Sequence, residues 1–231
     1  MTHRLRPIFR ALRRAPSWWG ALAALACPAL LACEEQGVSL GTEELCVADP
    51  DLLEAQADSA ERVSTCARIG ENQLIDAGFE VPVIDCAPLA FCEVPAADVE
   101  AWHTSSDGPV IEIWHDGYNG VPAFAGSQFV ELNATSRDTL WQDVDLPPGQ
   151  LMYWSFQHHG RNGVDDVELQ IGAPDDTTSQ GVFSSGIDSW HQYRGLYRVG
   201  PQEVVTRFVL ASRSGVSEGN LIDDVIFAPV D

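Results

Sequence analysis

The sequence contains no lysine, and its 13 arginines are outnumbered by 34 acidic residues. Five of the arginines lie in the first 32 residues, which contain no acidic residue, so the rest of the chain has eight arginines, 34 acids and a formal charge of −26. Because phosphate binding needs a basic surface, this balance excludes nucleic acid as a partner and disfavours anionic lipid. The negative charge is compatible with a solvated surface outside the cytoplasm, and with divalent cations or neutral ligands as partners.

The N-terminus has the layout of a secretory signal. Arginines crowd residues 4–14, and an apolar run follows that ends at Leu30-Leu31-Ala32-Cys33. The run is roughly fourteen residues long, short of the ~20 that a permanent membrane helix needs. Residues 30–33 resemble the lipobox of bacterial lipoproteins, with a small residue before the cysteine and an aliphatic one three places before it. The alternative is an ordinary secretory signal in which Cys33 has no role.

The lipobox resemblance implies that residues 1–32 are removed and that acyl chains such as palmitate are attached to Cys33. Cys27 has a similar prefix, but Pro28 follows it directly, so it ranks second. More than one acyl chain makes such an anchor stable. We therefore expect a lipid-anchored protein of the bacterial cell envelope, held in the outer membrane and facing outward.

The segment after the anchor divides into a tether and a short cap. Residues 33–45 are mostly polar and aperiodic, which is typical of a linker. Asp49-Pro50 is typical of a helix N-cap followed by proline at the first helical position, and it predicts a helix over residues 51–62. This helix lies between Cys46 and Cys66, within a segment, 46–71, that we expect to be a disulfide-stapled cap.

Four cysteines remain if Cys33 is lipidated: Cys46, Cys66, Cys86 and Cys92. An even number in an oxidising compartment predicts two disulfides. Three pairings are possible, and Cys46–Cys66 with Cys86–Cys92 is favoured because each pair encloses a short segment.

Residues 72–231 have the sequence pattern of an all-β domain. Short runs rich in β-branched and aromatic residues alternate with glycine, proline, asparagine and aspartate turns. This pattern predicts one antiparallel β-sandwich that is large enough to bury its own core. The predicted strands are 73–75, 99–104, 110–114, 128–134, 139–144, 151–158, 166–171, 190–199, 204–212 and 221–228.

Several motifs in this domain resemble one superfamily. Residues 73–80 are similar to an "N-L-I-x-N-G-x-F-E" opening strand, and residues 219–227 are similar to an "I-D-D-V" closing strand. Residues 190–197 resemble a "W-x-x-Y/F" strand, and residues 126–133 a "G-x-x-x-x-x-L-N" strand. These are motifs of galactose-binding-like jelly rolls, the superfamily that holds many carbohydrate-binding modules. The resemblance covers roughly 72–230 and implies a jelly-roll fold.

The same resemblance implies a structural calcium ion. In that superfamily the first and last strands are neighbours, and calcium is often held near them. The corresponding residues here are Glu80, Asp223 and Asp224, and Ca²⁺ prefers several oxygen ligands of this kind. The alternative is that Glu80 and Asp223 only accept hydrogen bonds from loop amides.

A sugar site needs flat aromatic faces and a few polar groups that fix hydroxyls. Residues 114–124 interleave both on a glycine-containing loop, and loops on a rigid scaffold often carry binding residues. The predicted ligand-binding residues are Trp114, His115, Asp116, Tyr118, Asn119, Phe124, Glu131 and Arg161. The alternative is that the aromatic residues are core and that Arg161 forms a structural pair with Glu131.

The sequence offers little support for catalysis. His158 and His159 are consecutive in a predicted strand and face opposite ways, which disfavours a shared zinc ion. Residues 215–219 fit G-x-S-x-G, but a strand follows instead of a helix and no histidine lies downstream. We therefore expect a non-catalytic surface module that recognises glycan. The alternative is a structural or adhesive surface lipoprotein that contacts another protein.

Overall fold

The computed structural model of the protein describes residues 44–46, 66–105, 108–215 and 218–230. These residues contain thirteen strands and single-turn 3₁₀ helices at Ala96–Asp98 and Tyr118–Gly120. The strands are β1 Glu44–Cys46, β2 Cys66–Arg68, β3 Phe91–Pro95, β4 His103–Thr104, β5 Val110–His115, β6 Gln128–Glu131, β7 Thr139–Asp145, β8 Leu151–His159, β9 Asp165–Ala173, β10 Asp176–Ser185, β11 His191–Arg198, β12 Val205–Ser212 and β13 Leu221–Pro229.

Strands β3 to β13 form two antiparallel sheets. The five-stranded sheet has the order β10-β9-β12-β7-β4, and the six-stranded sheet has the order β11-β8-β13-β6-β5-β3. From β6 onward nearly every connection crosses from one sheet to the other, and only β9 and β10 are consecutive neighbours in one sheet. This is a jelly-roll sandwich, which confirms the predicted fold class.

The core lies between the two sheets and follows the two-residue alternation of strands. On β8 the side chains of Met152 and Phe156 face inward, and on β12 those of Phe208 and Leu210 do; all four are fully buried. The opening segment packs beside the closing strand without forming a regular strand itself, because the Asn72 side chain bonds to Val225 and Phe227.

The N-terminal ribbon replaces part of the predicted tether. Strands β1 and β2 pair in antiparallel register with Cys46 opposite Cys66, so an ordered strand begins at Glu44, inside the segment predicted as linker. A bond between these two cysteines stays a prediction. Cys86 and Cys92 form a disulfide with a Cα–Cα distance of 5.7 Å, which confirms that pair.

Residues 1–32, Cys33 and the helix predicted at 51–62 lie outside the described residues. Within the part of the chain that the structure describes, no helix has the length and apolar character needed to cross a membrane.

Two strands of the sandwich were not predicted, and β10 shows why. It forms one edge of the five-stranded sheet, its residues alternate between exposed and half-buried positions, and its first half is Asp-Thr-Thr-Ser-Gln. An edge strand has a neighbour on one side only, so it needs few apolar residues and gives no hydrophobic signal. The other missed strand, β3, is the edge of the six-stranded sheet.

Strand β8 is buried on both faces. Tyr153, on the outer face, is 3% exposed. It packs in a small cluster with Ile69 and Ala228, and Ile69 itself bridges to Val230. The chain between β2 and the sandwich therefore covers the outer face here, which alternation within one strand cannot reveal.

Candidate functional site

The outer face of the six-stranded sheet carries a second hydrophobic cluster. Strands β5, β6 and β13 place Trp114, Phe129 and Leu221 on the face that points away from the core, and all three are fully buried. The cover is the β5–β6 connection, residues 116–127, which folds back over the sheet and contributes Val121. We call this the outer cluster.

The covering loop is held by hydrogen bonds at both ends. Gly117, with φ of 78°, allows a tight turn in which its N–H donates to the carbonyl of Val121 over 2.9 Å. The carboxylate of Asp116 accepts the N–H of Ala123 over 2.9 Å. Further along, Asp223 accepts the N–H groups of Phe124 and Ala125 over 2.8 and 3.0 Å. The loop is therefore fixed on the sheet before any ligand arrives.

An open pocket of about 450 Å³ lies beside this loop. Three segments build it: the covering loop, the turn after β8, and the connection between β10 and β11. The lining residues are Asn119, Gly120, Val121, Pro122, His159, Arg161, Ile187, Asp188, Ser189 and Trp190.

Trp190 forms the aromatic wall of the pocket. Its ring is half-buried, and its indole N–H donates to the carbonyl of Pro122 over 2.8 Å. The ring also packs edge-on against Phe129 at 5.5 Å and lies 5.4 Å from the ring of His159. These contacts fix the orientation of the indole and leave part of its surface open to solvent.

Arg161 is held by an ion pair and by an aromatic ring. Its Nη1 donates to both carboxylate oxygens of Glu131 over 2.8 Å, and its Nη2 lies 3.7 Å from the carboxylate of Glu218. The guanidinium carbon lies 4.9 Å from the ring centroid of Trp114. The structural pairing of Arg161 with Glu131 is confirmed.

Glu131 shares its surroundings with a second buried carboxyl group. Glu112 lies directly opposite it in the β5–β6 register, and both side chains are almost fully buried. Glu112 accepts the indole N–H of Trp114 over 2.7 Å, and Glu131 accepts the N–H of Gly219 over 2.7 Å. Burial raises the pKa of Glu131 to about 8 and raises the pKa of Glu112 as well, although Arg161 favours the ionised forms. The pair therefore retains a proton near neutral pH, and Arg161 balances the remaining charge.

The two consecutive histidines have separate environments. His159 lines the pocket, and its Nδ1 donates to the carbonyl of Gly160 over 2.5 Å. His158 faces the interior, where its Nε2 pairs with the side-chain oxygen of Asn220 over 3.0 Å. Burial lowers the pKa of His158 to about 4, so it is neutral inside the fold.

The residues predicted to bind calcium clamp the covering loop. The carboxylate of Glu80 accepts the N–H groups of Ser127 and Gln128 and the hydroxyl of Ser127 over 2.7 to 3.0 Å. Asp223, besides its two loop amides, accepts the N–H of Asp224 over 2.7 Å. The carboxylates are the right chemistry for calcium, but their lone pairs face N–H and O–H donors. Among the described residues, no group of three or more His, Cys, Asp or Glu could hold a metal. Calcium at these residues stays a prediction.

The structure corrects two of the predicted ligand-binding residues. Trp114 is completely buried beneath the covering loop, so its ring cannot stack on a ligand. Glu131 is 1% exposed behind Arg161, because the same ion pair that orients Arg161 covers the carboxylate. Both residues shape the pocket from below.

The remaining predicted residues lie in or near the pocket. Asn119 and Arg161 line it. Tyr118 packs edge-on against the buried ring of Trp114 at 4.5 Å and is half-buried, and Phe124 is 47% exposed beside Trp190. His115 ends β5 and Asp116 starts the covering loop, and neither is among the lining residues.

Sequence reasoning missed the opposite side of the pocket. His159 and residues 187–190 come from segments that are far from the 114–124 loop in sequence. One signal was present in the sequence: the apolar Ile187 lies among glycine, aspartate and serine just before the "W-x-x-Y" strand.

No family model and no curated protein sequence matches this chain. Among solved structures, a family 61 carbohydrate-binding module in complex with β-1,4-galactotriose is similar at a TM-score of 0.45 and 18% identity, covering 68% of this chain and 98% of that one. A xylan-binding domain of family 22 is similar at 0.44 and 14%, covering 67% and 97%. A family 4 module is similar at 0.39 and 16%, covering 67% and 98%. The sandwich is thus similar in fold to these carbohydrate-binding modules.

Proposed function

We propose that this protein is a non-catalytic glycan-binding module that lipid on Cys33 holds at the outer surface of a bacterial envelope. The observation that carries the glycan part is the open pocket, in which the fixed ring of Trp190 stands beside the polar groups of Asn119, His159 and Asp188. An aromatic face can stack on the C–H groups of a sugar while polar side chains fix its hydroxyls. The pocket volume of about 450 Å³ is in the range of small-ligand sites.

The rigidity of the pocket supports this proposal. The bond from Trp190 to Pro122 joins two walls, Asp116 bonds across the covering loop to Ala123, and Asp223 holds the loop from the sheet side. A site that is already ordered loses little conformational entropy on binding. Sugars gain modest energy from each contact, so they benefit from such a site.

The buried acids support a role without catalysis. A glycosidase pair flanks the scissile bond in a site that substrate can enter. Glu112 and Glu131 lie directly opposite each other on neighbouring strands, below Trp114 and Arg161. Substrate cannot reach either carboxyl group without removing the covering loop.

The glycan proposal is tested by affinity electrophoresis of the purified domain through gels that contain neutral polysaccharides. We expect retardation by at least one polysaccharide and its loss in Trp190→Ala. The matched control is Trp141→Ala, which removes a half-buried tryptophan from the outer face of the other sheet. If retardation survived Trp190→Ala and disappeared in Trp141→Ala, the binding site would lie on the five-stranded sheet and our assignment of the pocket would be wrong.

The anchor is tested separately by Cys33→Ser in the full chain. We expect the wild-type protein to incorporate labelled palmitate and to fractionate with outer membranes, whereas the variant takes up no label and is recovered in soluble form. Equal palmitate labelling of both proteins would exclude Cys33 as the lipidated residue.

A second function, contact with another protein at the cell surface, is favoured by one surface feature. In the loop that the Cys86–Cys92 disulfide closes, and just before it, Val81, Val83 and Leu89 are 50%, 79% and 56% exposed. Clustered apolar exposure often marks a protein contact. If Val83→Asp abolished adhesion of cells that display the protein while glycan retardation stayed unchanged, this second function would be supported.

A further inference from the structure

We propose that the pocket accepts uncharged sugar residues and rejects carboxylated or sulfated ones. This inference rests on the proposed glycan-binding function and names the ligand class of the same pocket. The inference follows from the ion pairs and the charges of the residues around the pocket.

Arg161 is the lining residue that could attract an acidic sugar, and its charge is already paired inside the protein. Nη1 donates to both carboxylate oxygens of Glu131 at 2.8 Å, and Nη2 lies 3.7 Å from the carboxylate of Glu218. Its Nε is buried and lacks a hydrogen-bond partner, so it does not face the ligand. An arginine binds a carboxylate or sulfate best through two parallel N–H groups of its fork. Here one arm of that fork, Nη1, is already bound by a carboxylate of the protein itself.

Besides the neutral side chains of Asn119 and Ser189, the polar groups at the pocket are acceptors or negative charges. Asp188 is exposed in the wall formed by the β10–β11 connection, and the Glu218 side chain is 57% exposed beside Arg161. Nδ1 of His159 donates to the carbonyl of Gly160, so in the uncharged imidazole Nε2 is an acceptor. Acceptors of this kind bind hydroxyl groups, which neutral sugars supply in number, and they repel carboxylates and sulfates.

The charge of the whole chain acts in the same direction. The protein has no lysine and a formal charge of −21, so an anionic polysaccharide approaches against a repulsive field. This long-range part weakens at high salt, whereas the short-range repulsion from Asp188 inside the pocket is screened less. Salt therefore separates the two contributions.

The test uses polysaccharide pairs that share a backbone and differ in charge. Affinity electrophoresis is run with hydroxyethylcellulose and carboxymethylcellulose, galactan and polygalacturonate, and xylan and glucuronoxylan, at low and high salt. We expect the neutral member of any pair that binds to do so at least about tenfold more tightly, at both salt concentrations. Equal or tighter binding of an acidic member would overturn the inference and leave glycan binding intact. Absence of retardation on every neutral and acidic polysaccharide would overturn both.

Two variants test whether the pocket itself discriminates between neutral and acidic polysaccharides. Asp188→Lys places a positive charge in the pocket wall, and Asp145→Lys makes the same change of net charge at an exposed position of β7 in the other sheet. We expect Asp188→Lys to raise the ratio of acidic to neutral binding by about tenfold, and Asp145→Lys to change it by less than about twofold. Equal changes in both variants would show that net charge, and not the pocket, sets the preference.

Discussion

Each sheet carries on its outer face an arginine that lies over a tryptophan and pairs with a carboxylate. On the six-stranded sheet Arg161 lies over Trp114 and pairs with Glu131. On the five-stranded sheet Arg207 lies 5.3 Å from the ring of Trp141 and donates to both oxygens of Asp143 over 2.7 and 2.8 Å. The chemistry is the same, but the surroundings differ.

Burial is the difference between the two groups. The side chains of Arg161 and Glu131 are 18% and 0% exposed, whereas those of Arg207 and Asp143 are 28% and 36% exposed. The hydrogen bonds from Arg207 lower the pKa of Asp143, while burial raises the pKa of Glu131 despite its own arginine. The buried group therefore fixes the floor of a pocket, and the open group is a surface ion pair of the kind that contributes little to stability.

The largest expected effect comes from removing each arginine in turn. Arg161→Ala leaves Glu131 and Glu112 buried without a cation, so we expect the free energy of unfolding to fall by about 3–5 kcal/mol. Arg207→Ala breaks only a partly exposed pair, and we expect a loss below about 1 kcal/mol. Urea denaturation measures both.

Arg161→Lys provides the control if Arg161→Ala does not fold. It keeps the charge but loses the planar guanidinium that lies over Trp114 and donates to Glu131, so an intermediate loss is expected. Equal losses at Arg161 and Arg207 would contradict the distinction between the two groups.

The dependence of stability on pH sharpens the comparison. Because burial raises the pKa of Glu131 from 4.5 to about 8, this group stabilises the fold fully below about pH 4.5, and that contribution is lost as pH rises toward 8. Glu112→Gln supplies an amide donor in place of the shared proton, so we expect a flatter stability profile between these pH values. Asp143 has a lowered pKa, so its contribution is present above about pH 3.8 and is lost as pH falls through the lowered value.

Urea denaturation at a series of pH values measures these slopes. Asp143→Asn should change only the acid side of the profile, and Glu112→Gln should change the neutral and alkaline side. A profile for Glu112→Gln that parallels the wild type up to pH 8 would mean that the two buried carboxyls do not share a proton.

The smallest expected effect concerns calcium. If Glu80, Asp223 and Asp224 bind the ion, added calcium should raise the melting temperature by a few degrees and EDTA should reverse the change, since a ligand that binds only the folded state stabilises it. Glu80→Gln should remove the response. Metal analysis without calcium, together with an EDTA-insensitive melting temperature, would mean that hydrogen bonds alone clamp the loop.

Alternation and turn residues were sufficient to predict the sandwich. Eight of the predicted strands are close to observed ones because their apolar residues recur at every second position, as in β12, where Phe208 and Leu210 face the core. The strand predicted at 73–75 is irregular, since Asn72 bonds to the closing strand through its side chain. The sequence also offered the Glu131–Arg161 pair, as the alternative to a ligand-binding role for these two residues.

The pocket could be predicted only in part because three distant segments build it. The 114–124 loop was recognised from its aromatic and polar residues, but the sequence does not tell whether Trp114 is open or covered by its own loop. The wall at Asp188 and Trp190 depends on the β10–β11 connection reaching the covering loop. No local pattern encodes that contact, since the bonded residues Pro122 and Trp190 are 68 positions apart.

The most direct test of the central claim is a titration that follows the indole N–H signals of tryptophan by NMR. The probe is a neutral oligosaccharide cut from the polysaccharide that retards the protein most in gels. Our account predicts that the Trp190 signal shifts strongly and saturably, because its ring is a wall of the pocket, while the Trp141 signal stays unchanged. A saturable shift at Trp141 with an unchanged Trp190 signal would contradict it.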